Sequence, residues 1–190
     1  MALEAILPVP VLVVEDEEII QFRLRKILID LGYANDVLLF AKNVKEAFAF
    51  LEQQPISLAL IDLGLPDGSG IEIIEKIRVS DSNALILVIS AWSTQESLFG
   101  AIKAGATGYV LKERDDAEVL LSIRSILRGG APIDPFIARE ILRQIAASEH
   151  EDAVIAPQSS EAEPSLLTAR EKEILNLVAQ GLSNREIAEQ

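Results

Sequence analysis

Two hydrophobic periods alternate along residues 9–130. Val9–Val14, Asp36–Phe40, Leu58–Ile61, Ala84–Ile89 and Gly108–Leu111 are short runs of mostly apolar, often β-branched side chains. Such runs predict strands covered on both faces, because a strand with one wet face alternates apolar and polar positions. Between them apolar residues recur at helical spacing. Ile19, Phe22, Leu24, Ile27, Leu28 and Leu31 form a stripe that stops at Gly32, and Ala47, Phe48 and Leu51 form a second that stops near Pro55. Ile71, Ile74 and Ile77 make a third, Leu98, Ala101 and Ile102 a fourth, and Val119, Leu120, Ile123, Ile126 and Leu127 a fifth. Five strand–helix repeats in this length predict an α/β fold, a doubly wound (βα)5 parallel sheet.

The polar residues at the ends of these stretches agree. Ser93-Thr-Gln-Glu96 has the spacing of a capping box, and Asn43 with Glu46 is a looser one. Gly129-Gly130 ends the fifth helix, and Asp134-Pro135 opens a further one, Pro135–Ala147. Ser148–Pro164 holds five acidic residues, no lysine or arginine and no aromatic, and reads as a flexible acidic linker. Thr168-Ala-Arg-Glu171 then caps a helix carrying Ile174, Leu175 and Val178; Gly181 ends it, and Ser183-Asn-Arg-Glu186 caps one more. The expected organisation is a sheet domain over 1–130, a connecting helix over 131–147, a linker over 148–164 and a partial all-α segment over 165–190.

Composition narrows the chemistry. Of the 190 residues 49% are apolar and 25% charged, a globular balance. No apolar run approaches the ~18 residues of a membrane span, and the N-terminus lacks the pattern of a secretory signal. A soluble, cytoplasmic protein with no membrane contact is expected. Cysteine is absent and His150 is the only histidine, which excludes disulfides, thiolate catalysis, cysteine-based metal sites and any chemistry needing two histidines. The net charge is −13, and no stretch forms a basic face for nucleic acid.

In an open parallel sheet, ligands bind beyond the carboxyl ends of the strands. The first strand ends in Glu15-Asp16, the third in Asp62, the fourth in Ser90 and the fifth in Lys112. The strand order 2-1-3-4-5 leaves the second strand at an edge and gathers these ends into one pocket. Three carboxylates there repel: two unit charges about 4 Å apart cost about 4 kcal/mol at an effective dielectric near 20. A bound cation relieves this, and an all-oxygen donor set suits a hard ion such as magnesium, Mg²⁺. A carboxylate beside Mg²⁺ can attack phosphorus and form an aspartyl phosphate. Lys112 and Ser90 then suit the developing phosphoryl oxygens. Taken singly, Asp16 reads as a helix cap, Asp62 as a loop carboxylate and Lys112 as a solvated lysine; their joint placement at strand ends reverses that.

The stretches Leu12-Val-Val-Glu-Asp16, Ile61-Asp-Leu-Gly-Leu-Pro-Asp-Gly-Ser-Gly70, Val88-Ile-Ser-Ala91 and Gly108-Tyr-Val-Leu-Lys112 resemble the receiver domain of bacterial two-component response regulators, over about Val9–Arg128. The resemblance implies the flavodoxin-like form of the (βα)5 sheet. It implies Asp62 as acceptor of a phosphoryl group from a sensor histidine kinase, and Glu15, Asp16 and Asp62 as Mg²⁺ ligands. The Leu63 carbonyl, or the Gly64 backbone, would complete the set. It makes Ser90 the switch hydroxyl, Lys112 the family's lysine and Tyr109 the aromatic switch residue. In that cycle phosphorylation draws the Ser90 hydroxyl inward, Tyr109 fills the space behind it, and the face of the fourth helix, fifth strand and fifth helix is remodelled for partners or a homodimer. Leu167-Thr-Ala-Arg-Glu-Lys-Glu-Ile-Leu175 and Gly181-Leu-Ser-Asn-Arg-Glu-Ile-Ala188 resemble the start of the LuxR-type helix-turn-helix of the NarL/FixJ subfamily. The recognition helix of such a domain falls beyond Gln190, so DNA contact is expected only through a complete C-terminal domain.

The implied function is a phosphorylation-controlled transcription regulator, not an enzyme. The alternative is a stand-alone receiver acting through protein contacts only. A flavin carrier is disfavoured, because the carboxylates Glu15-Asp-Glu-Glu18 would repel an FMN phosphate. A dehalogenase-type phosphatase needs an acid–base Asp two residues after Asp62, where Gly64 stands. Trp92, two residues past Ser90, is expected at the pocket mouth, and Thr168–Gln190 is expected to be mobile unless docked.

Overall fold

A computed structural model of the chain describes residues 7–91 and 94–151. Trp92, Ser93, and the linker and helix-turn-helix expectations beyond residue 151 lie outside these. The chain divides into two units, Met1–Asp134 and Pro135–Gln190. The first contains, in order, β1 (Val11–Val14), α1 (Glu18–Asp30), a 3-10 turn (Asn35–Val37), β2 (Leu38–Ala41), α2 (Val44–Gln53) and β3 (Leu58–Ile61). It continues with β4 (Gly64–Leu65), β5 (Gly68–Ser69), α3 (Gly70–Ser80), β6 (Leu85–Ser90), α4 (Gln95–Ala104), β7 (Gly108–Leu111) and α5 (Asp116–Leu127). In the second unit, α6 spans Pro135–Glu151.

Five strands pair in parallel in the order β2-β1-β3-β6-β7, the order expected from the sequence. Alternate side chains of one sheet face, among them Val11, Val13, Leu58, Leu60, Leu87, Ile89 and Val110, pack with Leu24, Ile27 and Leu28 of α1 and Val119, Ile123 and Ile126 of α5. The intervening positions Leu12, Ala59, Ile86 and Val88 are equally buried, as are Ile73, Ile74 and Ile77 of α3. Both faces are covered, which is why these strands read as continuous apolar runs.

The structure differs from the sequence reading at several boundaries. β1 begins at Val11 rather than Val9, and β6 spans Leu85–Ser90 rather than Ala84–Ile89. Asp36 and Val37 belong to the 3-10 turn, so β2 starts at Leu38. In α1, Ile19 and Phe22 are 81% and 71% exposed; only Leu24, Ile27 and Leu28 are buried. The cap of α4 is Thr94, whose hydroxyl accepts from the Ser97 amide, and not the Ser93 expected. Asn43 caps α2 by accepting from the Glu46 amide, while Glu46 reaches back to the Lys42 amide. The sheet unit extends to Asp134 instead of ending at 130, because the segment after α5 pairs with β7. Pro132 accepts from the Tyr109 amide at 2.8 Å, and the Asp134 amide donates to the Tyr109 carbonyl at 2.9 Å. α6 runs four residues beyond the expected end at Ala147, through Ser-Glu-His-Glu, none of which is a strong helix breaker.

Candidate functional site

The register of the sheet assembles the polar residues. Val14 is paired with both Ala41 and Ile61, and Ile61 with Val88. The next residues along β1 and β3 are Glu15 and Asp62, whose amides still donate to the Ala41 and Val14 carbonyls. On the other side Ser90 pairs with Leu111, and the Lys112 amide donates to the Ser90 carbonyl at 2.9 Å. Four strand ends therefore open on one cleft of about 420 Å³, lined by Asp16, Asp62, Gly64, Ser90 and Lys112 among others.

Asp62 is 5% exposed and engaged on both oxygens. Oδ1 accepts from the Ser90 hydroxyl at 2.7 Å and from the Gly64 amide at 3.3 Å. Oδ2 accepts from Lys112 Nζ at 2.8 Å. The same ammonium lies 2.8 Å from both oxygens of Glu15 and 3.3 Å from Glu17 Oε1. Glu15 is 1% exposed. Burial pushes its carboxyl above the usual value, against the pull of the Lys112 ammonium and the Glu17 amide. For Lys112, burial alone would lower the affinity for its proton; the bonds to Asp62 and Glu15 outweigh this and hold the ammonium charged, above its usual range.

Glu15, Asp16 and Asp62 each offer an oxygen within 4.8 Å of the others, the one such metal-competent group among the described residues. Asp16 is exposed and is not a helix cap: Glu17 occupies the N-cap of α1 and makes no capping bond. The donor set is all oxygen, which fits a hard divalent cation. The Leu63 carbonyl accepts from the Gly70 amide at 3.1 Å. Tyr109 is 1% exposed.

The turn after Asp62 is held by its own contacts. β4 and β5 pair as a two-residue hairpin, and Asp67 between them accepts from the Val44 and Lys45 amides at 2.8 and 3.1 Å. These amides, at the start of α2, hold the Asp67 carboxyl below its usual value. Ser69 caps α3 in a capping box with Glu72. Gly70 is obligatory, since a Cβ there would meet the Asp62 carbonyl at 2.1 Å.

The structure thus brings Glu15, Asp16, Asp62, Ser90 and Lys112 together as expected. Sequence reasoning missed Glu17, which adds a third carboxylate to Lys112, and Gln21, which donates to the Glu15 carbonyl at 2.5 Å. It also missed Arg23, which grips the loop after β7. Its partners are some 90 residues away in sequence, so no spacing signals it.

Comparison with known proteins agrees with this geometry. Residues 11–124 match the family model described as response regulator receiver domain, and residues 165–190 match that of bacterial regulatory proteins, luxR family. The oxygen regulatory protein NreC of Staphylococcus aureus is 32% identical over 163 residues, 84% of this chain and 73% of that protein. Among solved structures, a LuxR-family two-component response regulator from Aurantimonas sp. SI85-9A1 aligns with a TM-score of 0.62 at 29% identity, over 74% of this chain and 99% of that one. A CheY-like receiver domain protein from Methanospirillum hungatei JF-1 gives 0.58 at 27% identity, over 63% and 93%.

Proposed function

The chain belongs to the response regulator receiver family and carries a luxR-family segment behind the receiver, and from that premise we propose that Asp62 is the residue that takes the phosphoryl group. As a phosphorylatable response regulator the protein controls transcription; the luxR-family match at 165–190 favours this over a stand-alone receiver. What carries the assignment is the pairing of Asp62 with Ser90 on one oxygen and Lys112 on the other, beside the acidic group of Glu15 and Asp16.

The donor is a phosphohistidine of a sensor histidine kinase. An Asp62 oxygen attacks phosphorus, a new O–P bond forms, the P–N bond breaks, and the imidazole nitrogen leaves with the electron pair. Lys112 and the Ser90 hydroxyl move from the carboxylate to the phosphoryl oxygens and stabilise their charge. Glu15, Asp16 and Asp62, with the Leu63 carbonyl or the Gly64 backbone, would hold Mg²⁺, which when bound neutralises charge on the transferring group. The phosphoryl group is taken up by the chain itself rather than passed to a separate substrate. No helix among the described residues is long and apolar enough to cross a membrane, and the reading places the protein in the cytoplasm. Its outputs are DNA, contacted through a complete luxR-type domain, and a homodimer through the α4–β7–α5 face, where Ile102 and Leu121 are exposed. The expected domain division, receiver, helix, linker and helix-turn-helix, follows the same reading.

The test is intact mass after incubation with acetyl phosphate and Mg²⁺. The wild-type chain is expected to gain one phosphate and Asp62→Asn none. Equal labelling of Asp62→Asn overturns the assignment.

A further inference from the structure

Lys112 has to place its ammonium within hydrogen-bond reach of Asp62 and Glu15 at once. Yet it stands just past the last residue of β7, in a turn that leads to α5. The sheet holds it only through its amide, which donates to the Ser90 carbonyl. Three carboxylates pull on its side chain, from Glu15, Glu17 and Asp62. Something has to hold the backbone on the other side.

Arg23, on α1, does so with all three guanidinium nitrogens. One donates to the Lys112 carbonyl at 2.7 Å, a second to the Arg114 carbonyl, and Nε to Asp116 Oδ1 at 2.6 Å. The three acceptors span the loop from its first residue to the first turn of α5. A guanidinium is suited to this, since its planar fork fixes several acceptors in one geometry. The side chain is 21% exposed, so the bonds are only partly screened by water. α1 is also the helix that follows Glu15 and Asp16 directly. One residue therefore links the helix behind the acidic pair to the loop that carries the ammonium.

We propose that Arg23 is a positioning residue for phosphoryl transfer: it fixes the Lys112 backbone so that only the lysine side chain moves as charge develops on the phosphoryl oxygens. The role rests on the reading of Asp62 as acceptor. Its physical basis is preorganisation. A cation aimed at the transition state is most effective when its support does not shift with it, and a misplacement of about 1 Å can cost up to about 100-fold in rate. Without Arg23 the Lys112 and Arg114 carbonyls lose their donor, and the loop is free to follow Nζ toward the carboxylates.

The experiment uses the full chain with acetyl phosphate and Mg²⁺, following the phosphorylated species by mass. In this reaction the Asp62 oxygen displaces acetate, which leaves with the electron pair of the broken P–O bond. Arg23→Ala is expected to lower the maximal rate about 10-fold with little change in half-saturation by acetyl phosphate. Arg23→Lys, which keeps one donor arm and the charge, is expected to fall between. In a Lys112→Ala background Arg23→Ala should slow the reaction no further, which a purely structural clamp would not predict. Arg23→Ala at the wild-type rate, or the same 10-fold loss in both backgrounds, overturns the proposal. Should Arg23→Ala fail to fold, Arg23→Lys and Asp116→Ala decide: each is expected to be a few-fold slow, and wild-type rates in both overturn it. A wild-type chain that takes no phosphate, or an Asp62→Asn chain that takes it equally, shows instead that the acceptor reading has failed.

Discussion

Ser90 Oγ donates to Asp62 Oδ1 across 2.7 Å, joining the tips of β6 and β3 while both residues are 5% exposed. The hydroxyl is thus directed at the Asp62 carboxylate, and the Tyr109 side chain is buried.

Ser90→Ala is expected to slow phosphorylation of Asp62 by acetyl phosphate by roughly 10-fold or more. A hydrogen bond to a charged group contributes about 1.5–3 kcal/mol, and about 1.4 kcal/mol is tenfold in rate. Ser90→Thr, which keeps the hydroxyl, should retain most of the rate. Equal rates for Ser90→Ala and wild type in the mass assay would contradict this.

Gly70→Ala should damage fold and site together. The added Cβ would meet the Asp62 carbonyl oxygen at 2.1 Å and Ile61 Cγ2 at 2.8 Å, and backbone cannot yield as a flexible side chain can. A loss of about 3 kcal/mol or more in urea unfolding is expected, at the upper end for overpacking. An unchanged unfolding midpoint would show that the β4–β5 turn is free to move.

Arg78 joins the end of α3 to the start of β6 and the turn before β7. Its guanidinium donates to the Gly105, Ser82 and Ala84 carbonyls and to Thr107 Oγ1. Burial pulls its proton affinity below the usual value, a sign that these bonds replace water. Arg78→Ala is expected to cost about 2–4 kcal/mol, read from chemical denaturation, since the carbonyls lose a shared donor. Phosphorylation of the remaining folded fraction should be little changed.

Tyr33 is 4% exposed, and its hydroxyl has no hydrogen-bond partner among the described residues. Burial pushes its pKa up to about 12 from 10.0. The folded state therefore favours the protonated phenol. The resulting stability is full below the unfolded value and is lost as pH rises through the folded one, between about 10 and about 12. Tyr33→Phe should remove that alkaline loss. At neutral pH it should leave stability equal or higher, because burying an unpaired hydroxyl costs about 1–3 kcal/mol. Unfolding midpoints at pH 7 and above pH 10 test both; a clear loss at pH 7 would mean the hydroxyl is bonded in solution.

The central strands were legible because burial on both faces leaves an apolar run that few other structures produce. Their order put Glu15, Asp62, Ser90 and Lys112 at adjacent tips, and that placement needed no knowledge of side chains. The edge strand β2 read less well, since Asp36 and Val37 before it form the 3-10 turn. The α1 stripe was drawn too wide: Ile19 and Phe22 are apolar at helical spacing but lie away from the buried face of Leu24, Ile27 and Leu28. Strands of two residues, as in the β4–β5 hairpin, are too short to show a period. Ser69-Gly-Ile-Glu72 has a spacing as readable as that of Asn43 and Glu46, and in the structure it is the complete capping box. Arg23 was out of reach for another reason, because its meaning lies in contacts that only the tertiary fold creates.

The strip of chain after α5 closes one margin of the sheet. Pro132 and Asp134 occupy both backbone groups of Tyr109, the Leu111 carbonyl accepts from the Arg114 amide, and a side chain on Gly108 would collide with the Pro132 carbonyl. Arg114 fastens the strip by a two-pronged ion pair with Asp134, at 2.5 and 2.9 Å. An exposed strand margin is a template on which foreign strands can grow. Here that template is already used at Tyr109, so a neighbouring protein cannot recognise this end of the sheet by adding a strand. It has to read the side chains of the strip and its neighbours instead.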